Sequence, residues 1–166
     1  VAIVDSLIRA GHLDYDCFIN DAAKAHGRGA ARVKLVAHLV SAKSGSVLES
    51  LTRVLLWRHG LPDPTAQFSF RHPTRGWVGF MDFAWPQARA ILECDGYEYH
   101  SNREAFQKDR RRWTAVSLAR WHLAVVTWFD VTCDPEYVVA TVRELLSLER
   151  GTSTQTLDTL DLARSA

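Results

Sequence analysis

The apolar positions of the chain change period along its length. In residues 1–40 they recur at helical spacing in short pieces. Val4, Leu7 and Ile8 form one stripe stopped at Gly11, and Asp14 or Asp16 suits a cap for the next helix. The Gly27–Arg28–Gly29 stretch breaks that second helix, and Val33, Val36, Ala37 and Val40 mark a third. After the polar SAKSGS, Val47, Leu51, Val54 and Leu55 predict a helix that ends at Gly60. Ser46 and Glu49 have the spacing of a capping box, and Arg53 stands four residues beyond Glu49. Beyond Leu61–Pro62–Asp63–Pro64 the period becomes alternating. QFSFRH (67–72), WVGFMDFAW (77–85) and ARAILECDG (88–96) read as three strands joined by turns. A helix is expected from about Asn102 to Arg120, an apolar strand over HLAVVTWF (122–129), and a last helix after Asp134–Pro135.

The order α–β–β–β–α–β–α predicts an α/β fold. Its mixed sheet is a three-strand meander plus a crossover strand, flanked by helices and preceded by a helical lead-in. The expected division is a lead-in or linker over 1–43, a main domain over 44–149 and a tail over 150–166. Nothing in residues 1–40 carries evident chemistry.

The bulk numbers narrow the setting. The chain has 166 residues, 47% hydrophobic and 23% charged, as in an ordinary globular protein. No membrane span or signal peptide is visible. The three cysteines, Cys17, Cys94 and Cys133, have no metal-site or disulfide spacing and suit a reducing cytoplasm. The chain opens on Val1 rather than Met, as expected of a fragment or processed chain.

The net charge of +1 points to no partner. Its distribution does: residues 101–120 carry Arg103, Lys108, Arg110, Arg111, Arg112 and Arg120 against Glu104 and Asp109. Such a run is either a solvated helix face or a phosphate-binding surface.

The sharpest feature is ILECDGYEYH (91–100), an apolar strand that runs into Glu93, Asp95, Glu98 and His100. If the preceding hairpin loop has two residues, Asp82 faces Ile91; if it has four, Asp82 faces Glu93. In both cases Asp82 and Glu93 share a sheet face, and Asp95 joins them if the strand continues. Clustered carboxylates require a proton, a basic partner or a cation, and oxygen-rich clusters suit Mg²⁺ or Mn²⁺. Arginines of the basic helix are the bland alternative to a metal. Glu49 is either a third member of the cluster or simply the acid of its capping box. His100 stands between the acidic strand and the basic helix.

Taken together, SVLES…R (46–53), GLPDP (60–64), Gln67, GFMDFAWP (79–86), ILECDGYEYH (91–100) and KDRRR (108–112) resemble the very-short-patch-repair-like endonuclease domain. That family is a branch of the PD-(D/E)XK restriction-endonuclease-like superfamily, and the resemblance covers about residues 44–149. It implies Mg²⁺-dependent hydrolysis of DNA phosphodiester bonds in the cytoplasm. Glu49, Asp82 and Glu93 match the metal-holding acids, with the Cys94 carbonyl a further ligand. Asp82, Glu93, Asp95 and His100 stand at the catalytic positions. Asp95 occupies the place of the usual motif lysine, which leaves His100, Lys108 or Arg110 as the assisting basic group. Lys108, Arg110, Arg111 and Arg112 would contact phosphates. Trp77, Trp85, Tyr97 and Tyr99 would stack on bases or sit in the core. These relatives usually enter the strand after the basic helix on Gly-Trp and then carry an arginine; here Arg120–Trp121 and Val126–Thr127 occupy that region.

Two layouts follow from the resemblance: a nuclease acting as a homodimer, or the C-terminal domain of an abortive-infection antitoxin-like protein behind a winged-helix domain. The second goes with a rival function, a non-catalytic DNA-binding or regulatory module that keeps the nuclease fold.

Overall fold

The computed structural model describes residues 1–96 and 103–162, with side chains omitted over 103–106 and 149–162. The lead-in comprises α1 (Ala2–Arg9), α2 (Tyr15–Ala23) and α3 (Ala30–Leu39). Asp14, one of the two expected caps, holds the start of α2 by accepting the Cys17 N–H at 2.8 Å. Then come α4 (Val47–Arg58), β1 (Thr65–His72), β2 (Gly76–Trp85), β3 (Ala90–Asp95), α5 (Arg103–Leu118), β4 (His122–Thr127), α6 (Trp128–Cys133) and α7 (Pro135–Leu162).

The sheet order is β1-β2-β3-β4. The first three strands are antiparallel neighbours and β4 lies parallel to β3, so a meander is followed by a crossover through α5. The protein is thus mixed α/β, a four-stranded mixed sheet flanked by helices.

Two apolar layers cover the sheet. On one face Leu48 and Leu56 of α4, Val131 of α6, and Val138 and Val142 of α7 pack on Phe83, Trp85, Leu92 and Val126. On the other, Val116 of α5 packs with Phe70, Met81, Ala84 and Ile91. The indole of Trp121 lies against the rings of Phe68 and Phe70, 5.6 and 5.2 Å away between centroids.

Several boundaries differ from the sequence reading. β3 begins at Ala90 because Pro86–Ala88 forms a 3-10 turn and Arg89 takes a left-handed φ of 44°. β4 stops at Thr127, two residues short of expectation. Thr127 and Asp130 form a reciprocal capping box that starts α6 and leaves Trp128 and Phe129 exposed. α7 runs on as helix to Leu162, into the segment expected to be either a disordered tail or a short helix.

The lead-in is joined to α4 by a buried carboxylate. Asp5 is 1% exposed. It accepts from Ser41 N at 2.9 Å, from Ser50 Oγ at 2.6 Å and from Arg53 Nη2 at 2.5 Å. Arg53 is therefore committed to Asp5 and not to Glu49, its expected i+4 partner. The lead-in thus makes a structural contribution, with Asp5 completing a buried polar network.

Candidate functional site

β2 and β3 are joined by four residues, with Phe83 opposite Leu92 and Trp85 opposite Ala90. The four-residue alternative is the one realised, and Asp82 lies one step beyond the last ladder pair, level with Glu93. On its other side the β1–β2 ladder pairs Ala66 with Phe83 and Phe68 with Met81 but skips Gln67 and Asp82. Gln67 has a left-handed φ of 48° at that point. The side-chain phase slips there: Phe83 packs in one apolar layer and Met81, two residues earlier, in the other. Asp82 thus sits on β2 where the ladders to both β1 and β3 are interrupted, and its Oδ2 accepts the Cys94 backbone N–H at 2.8 Å.

Glu49 arrives from the first turn of α4. Ser46 Oγ accepts the Glu49 N–H at 3.0 Å, as in a capping box. The carboxylate does not complete that box. Instead its Oε2 accepts the Gly45 N–H and Gln67 Nε2, both at 2.9 Å. Gln67 Nε2 also reaches Asp82 Oδ1 at 3.3 Å, so one amide spans two carboxylates. Gly45 is required by this packing: a Cβ there would lie 2.9 Å from Glu49 Oε1.

Glu93 comes from β3 and is 5% exposed. Its Oε2 accepts Arg112 Nη2 of α5 at 2.6 Å, while its Oε1 is buried with no hydrogen-bond partner among the described residues. The Arg112 stem crosses β2 over Gly79, where an added Cβ would come within 3.3 Å of Arg112 Cδ.

The electrostatics follow from burial and crowding. Desolvation raises the Asp82 carboxyl to about 6, reinforced by Glu49, against the pull of the Cys94 N–H, Arg112 and Gln67. Glu93 is raised to about 8, first by desolvation and then by Asp82, with Arg112 opposing. Three acids from α4, β2 and β3 therefore repel one another around one described cation. The Cys94 thiol is pushed well above its ordinary value by burial and contacts Thr52 Oγ1 at 3.4 Å. It is a packing group, not a nucleophile.

The other expected site residues are dispersed. Asp95 ends β3, half-buried and opposite Thr127 of β4. Lys108, Arg110 and Arg111 are exposed on α5, with the Arg110 guanidinium 4.9 Å from the centroid of the Trp113 ring. Arg112, expected on the same phosphate-binding face, turns inward to Glu93 because it lies on the side of α5 that meets the sheet. His100, Tyr97 and Tyr99 lie outside the described residues. Trp85 is core, its Nε1 donating to Pro62 O at 2.8 Å. Trp77 is exposed and packs edge-on against Phe80.

Gln67 is the site residue the sequence reading left without a role. Its only signal was its place in the run of family-like residues, since neither its backbone conformation nor its bridging contact is encoded in a local pattern.

A divalent ion would need oxygen donors that are not already saturated. Among the described residues no group of three or more His, Cys, Asp or Glu side chains is placed to hold a metal ion. The donors are nonetheless of the type a hard cation takes: Glu49 raises the pKa of Asp82, Asp82 and Glu49 raise that of Glu93, and Glu93 Oε1 is buried without a hydrogen-bond partner among the described residues. No helix among the described residues is long and apolar enough to cross a membrane.

The chain is similar to two proteins of Mycobacterium tuberculosis, "Uncharacterized protein Rv2248" of strain ATCC 25618/H37Rv and "Uncharacterized protein MT2308" of strain CDC 1551/Oshkosh. In each case it is 26% identical over 151 residues, 90% of this chain. The chain spans 55% of the length of each relative. No family model matches it, and no solved structure gives a significant match.

Proposed function

We propose that this chain is a divalent-metal-dependent DNA endonuclease domain of the restriction-endonuclease-like type, akin to the very-short-patch-repair-like family. The observation that carries the reading is the convergence of Glu49, Asp82 and Glu93 around the ladder break of β2, with Glu93 Oε1 buried and unpartnered among the described residues. A cluster of repelling buried carboxylates costs stability, and a scaffold would replace it with apolar groups. A hydrolase that must hold a cation has a use for it.

In this reading Glu49, Asp82 and Glu93 hold Mg²⁺ or Mn²⁺. The ion, when bound, polarises the scissile phosphate and lowers the pKa of a water. Gln67 spaces Glu49 from Asp82 and keeps both oxygens turned to the same ladder break. The Cys94 N–H fixes the second Asp82 oxygen. Lys108, Arg110 and Arg111 supply exposed positive charge along α5 for the DNA backbone, which positions nucleic acid without reading its sequence. His100, beyond β3, and Asp95 take part in proton transfer near the reacting phosphate. A cytoplasmic setting, a homodimer and a preceding winged-helix domain belong to the same proposal.

A second reading is favoured by one contact. Arg112 already occupies one oxygen of Glu93 at 2.6 Å, as in a DNA-binding or regulatory module that keeps the fold without the reaction. Nicking of supercoiled plasmid in Mg²⁺ or Mn²⁺ separates the two. The endonuclease reading expects cleavage by the parent chain and none by Asp82→Ala. DNA retention without cleavage by the parent in either ion would select the binding module.

A further inference from the structure

The Arg112–Glu93 pair is only half made. A guanidinium offers two parallel N–H groups to a carboxylate, and pairs built for stability usually use both. Here one nitrogen meets one oxygen, Arg112 Nη2 to Glu93 Oε2. Glu93 Oε1 and Arg112 Nε are each buried and lack a hydrogen-bond partner among the described residues. A buried pair with polar atoms left over on both sides is poorly paid in hydrogen bonds and open to exchange.

Two further features make exchange feasible. The Arg112 stem lies over Gly79, where no side chain stands against it. Asp109, three residues earlier on α5, has its Oδ1 3.8 Å from Arg112 Nη1 and is more exposed than Glu93. It offers the guanidinium a second acceptor without any movement of the helix.

We propose that Arg112 is the built-in counter-cation of the acidic cluster: its guanidinium holds Glu93 until a divalent cation takes that carboxylate, and then passes to Asp109. The proposal rests on the carboxylates being a cation site. Arg112 is then a positioning residue, which keeps the cluster compact when it is empty and sets how tightly it loads.

The test is isothermal titration of MnCl₂ into the full chain at matched pH for the parent, Glu93→Gln, Arg112→Met and Arg112→Lys. Removing a competing charge-assisted bond is expected to tighten Mn²⁺ binding about tenfold in Arg112→Met. Arg112→Lys, which keeps the charge but loses the planar fork, is expected to tighten it by less, and it carries the test if the Met variant fails to fold. If the parent binds Mn²⁺ through Glu93 while neither Arg112 variant gains affinity, the exchange is overturned and the cation site stands. If none of the four proteins takes up Mn²⁺, both fall.

Discussion

Asp82 holds the Cys94 backbone N–H on its Oδ2 at 2.8 Å, so a side chain of β2 does the work of a ladder bond to β3. The same carboxyl is repelled by Glu49 and raised to about 6. The two roles separate by substitution. Asp82→Asn keeps an acceptor for the N–H and removes the charge, and is expected to fold with stability at pH 8 equal to or above the parent's. Asp82→Ala strands the N–H and is expected to cost about 1–3 kcal/mol. Thermal unfolding of both variants decides it; equal stability of Asn and Ala would mean the bond holds nothing.

Burial makes the carboxylate cluster sensitive to alkali. Asp82 and Glu93 have folded-state values of about 6 and about 8, above their ordinary 3.8 and 4.5. Between the ordinary and the raised values the folded chain binds more protons than the unfolded one, so stability falls as pH rises. The expected loss is roughly 1.4 kcal/mol per pH unit for each group titrating in that window. Glu93→Gln should flatten the profile of unfolding free energy between pH 6 and about 8. A parent profile that is level or rising from pH 5 to 8 would contradict the assigned directions.

Gly45 separates fold from site. A Cβ there would press on Glu49 Oε1, the far end of a flexible side chain, at 2.9 Å. Gly45→Ala should leave the unfolding midpoint nearly unchanged, because the glutamate can swing away. Mn²⁺ affinity should fall several-fold as Glu49 leaves its place beside Gln67. Unaltered affinity would remove Glu49 from the cation site.

Arg120 stands where a glycine would be easier. It takes a left-handed φ of 59° just past the end of α5. Its N–H bonds Ser117 O at 2.9 Å and the next N–H, of Trp121, bonds Val116 O at 3.2 Å, a Schellman closure. Arg120→Gly is expected to raise stability by about 0.5–1 kcal/mol, read from urea midpoints. A loss of stability would show that the arginine side chain makes a compensating contact.

The sheet was legible because its strands alternate cleanly and its turns carry Pro and Gly, and because an apolar strand after a long helix has one simple route into the sheet. The acids Asp82 and Glu93 were legible as a pair since either even-length loop brings them to one face. The break at Gln67 was not, because a left-handed glutamine inside a strand is imposed by tertiary packing and leaves no composition signal. Arg112 was read as one of a surface run because charge counts ignore helix phase; its inward turn depends on the bare backbone at Gly79. α6 was missed because Trp128 and Phe129 look like strand, while Thr127 and Asp130 cap a helix. Asp5 escaped notice because its partners lie 36 to 48 residues away.

The proposed function requires Glu49, Asp82 and Glu93 to form a divalent-cation site. Isothermal titration of Mn²⁺ into the parent chain and into Glu93→Ala tests it most directly. Saturable binding by the parent is expected, and it should disappear in Glu93→Ala while the variant stays folded by circular dichroism. Binding of equal strength by both proteins would contradict it.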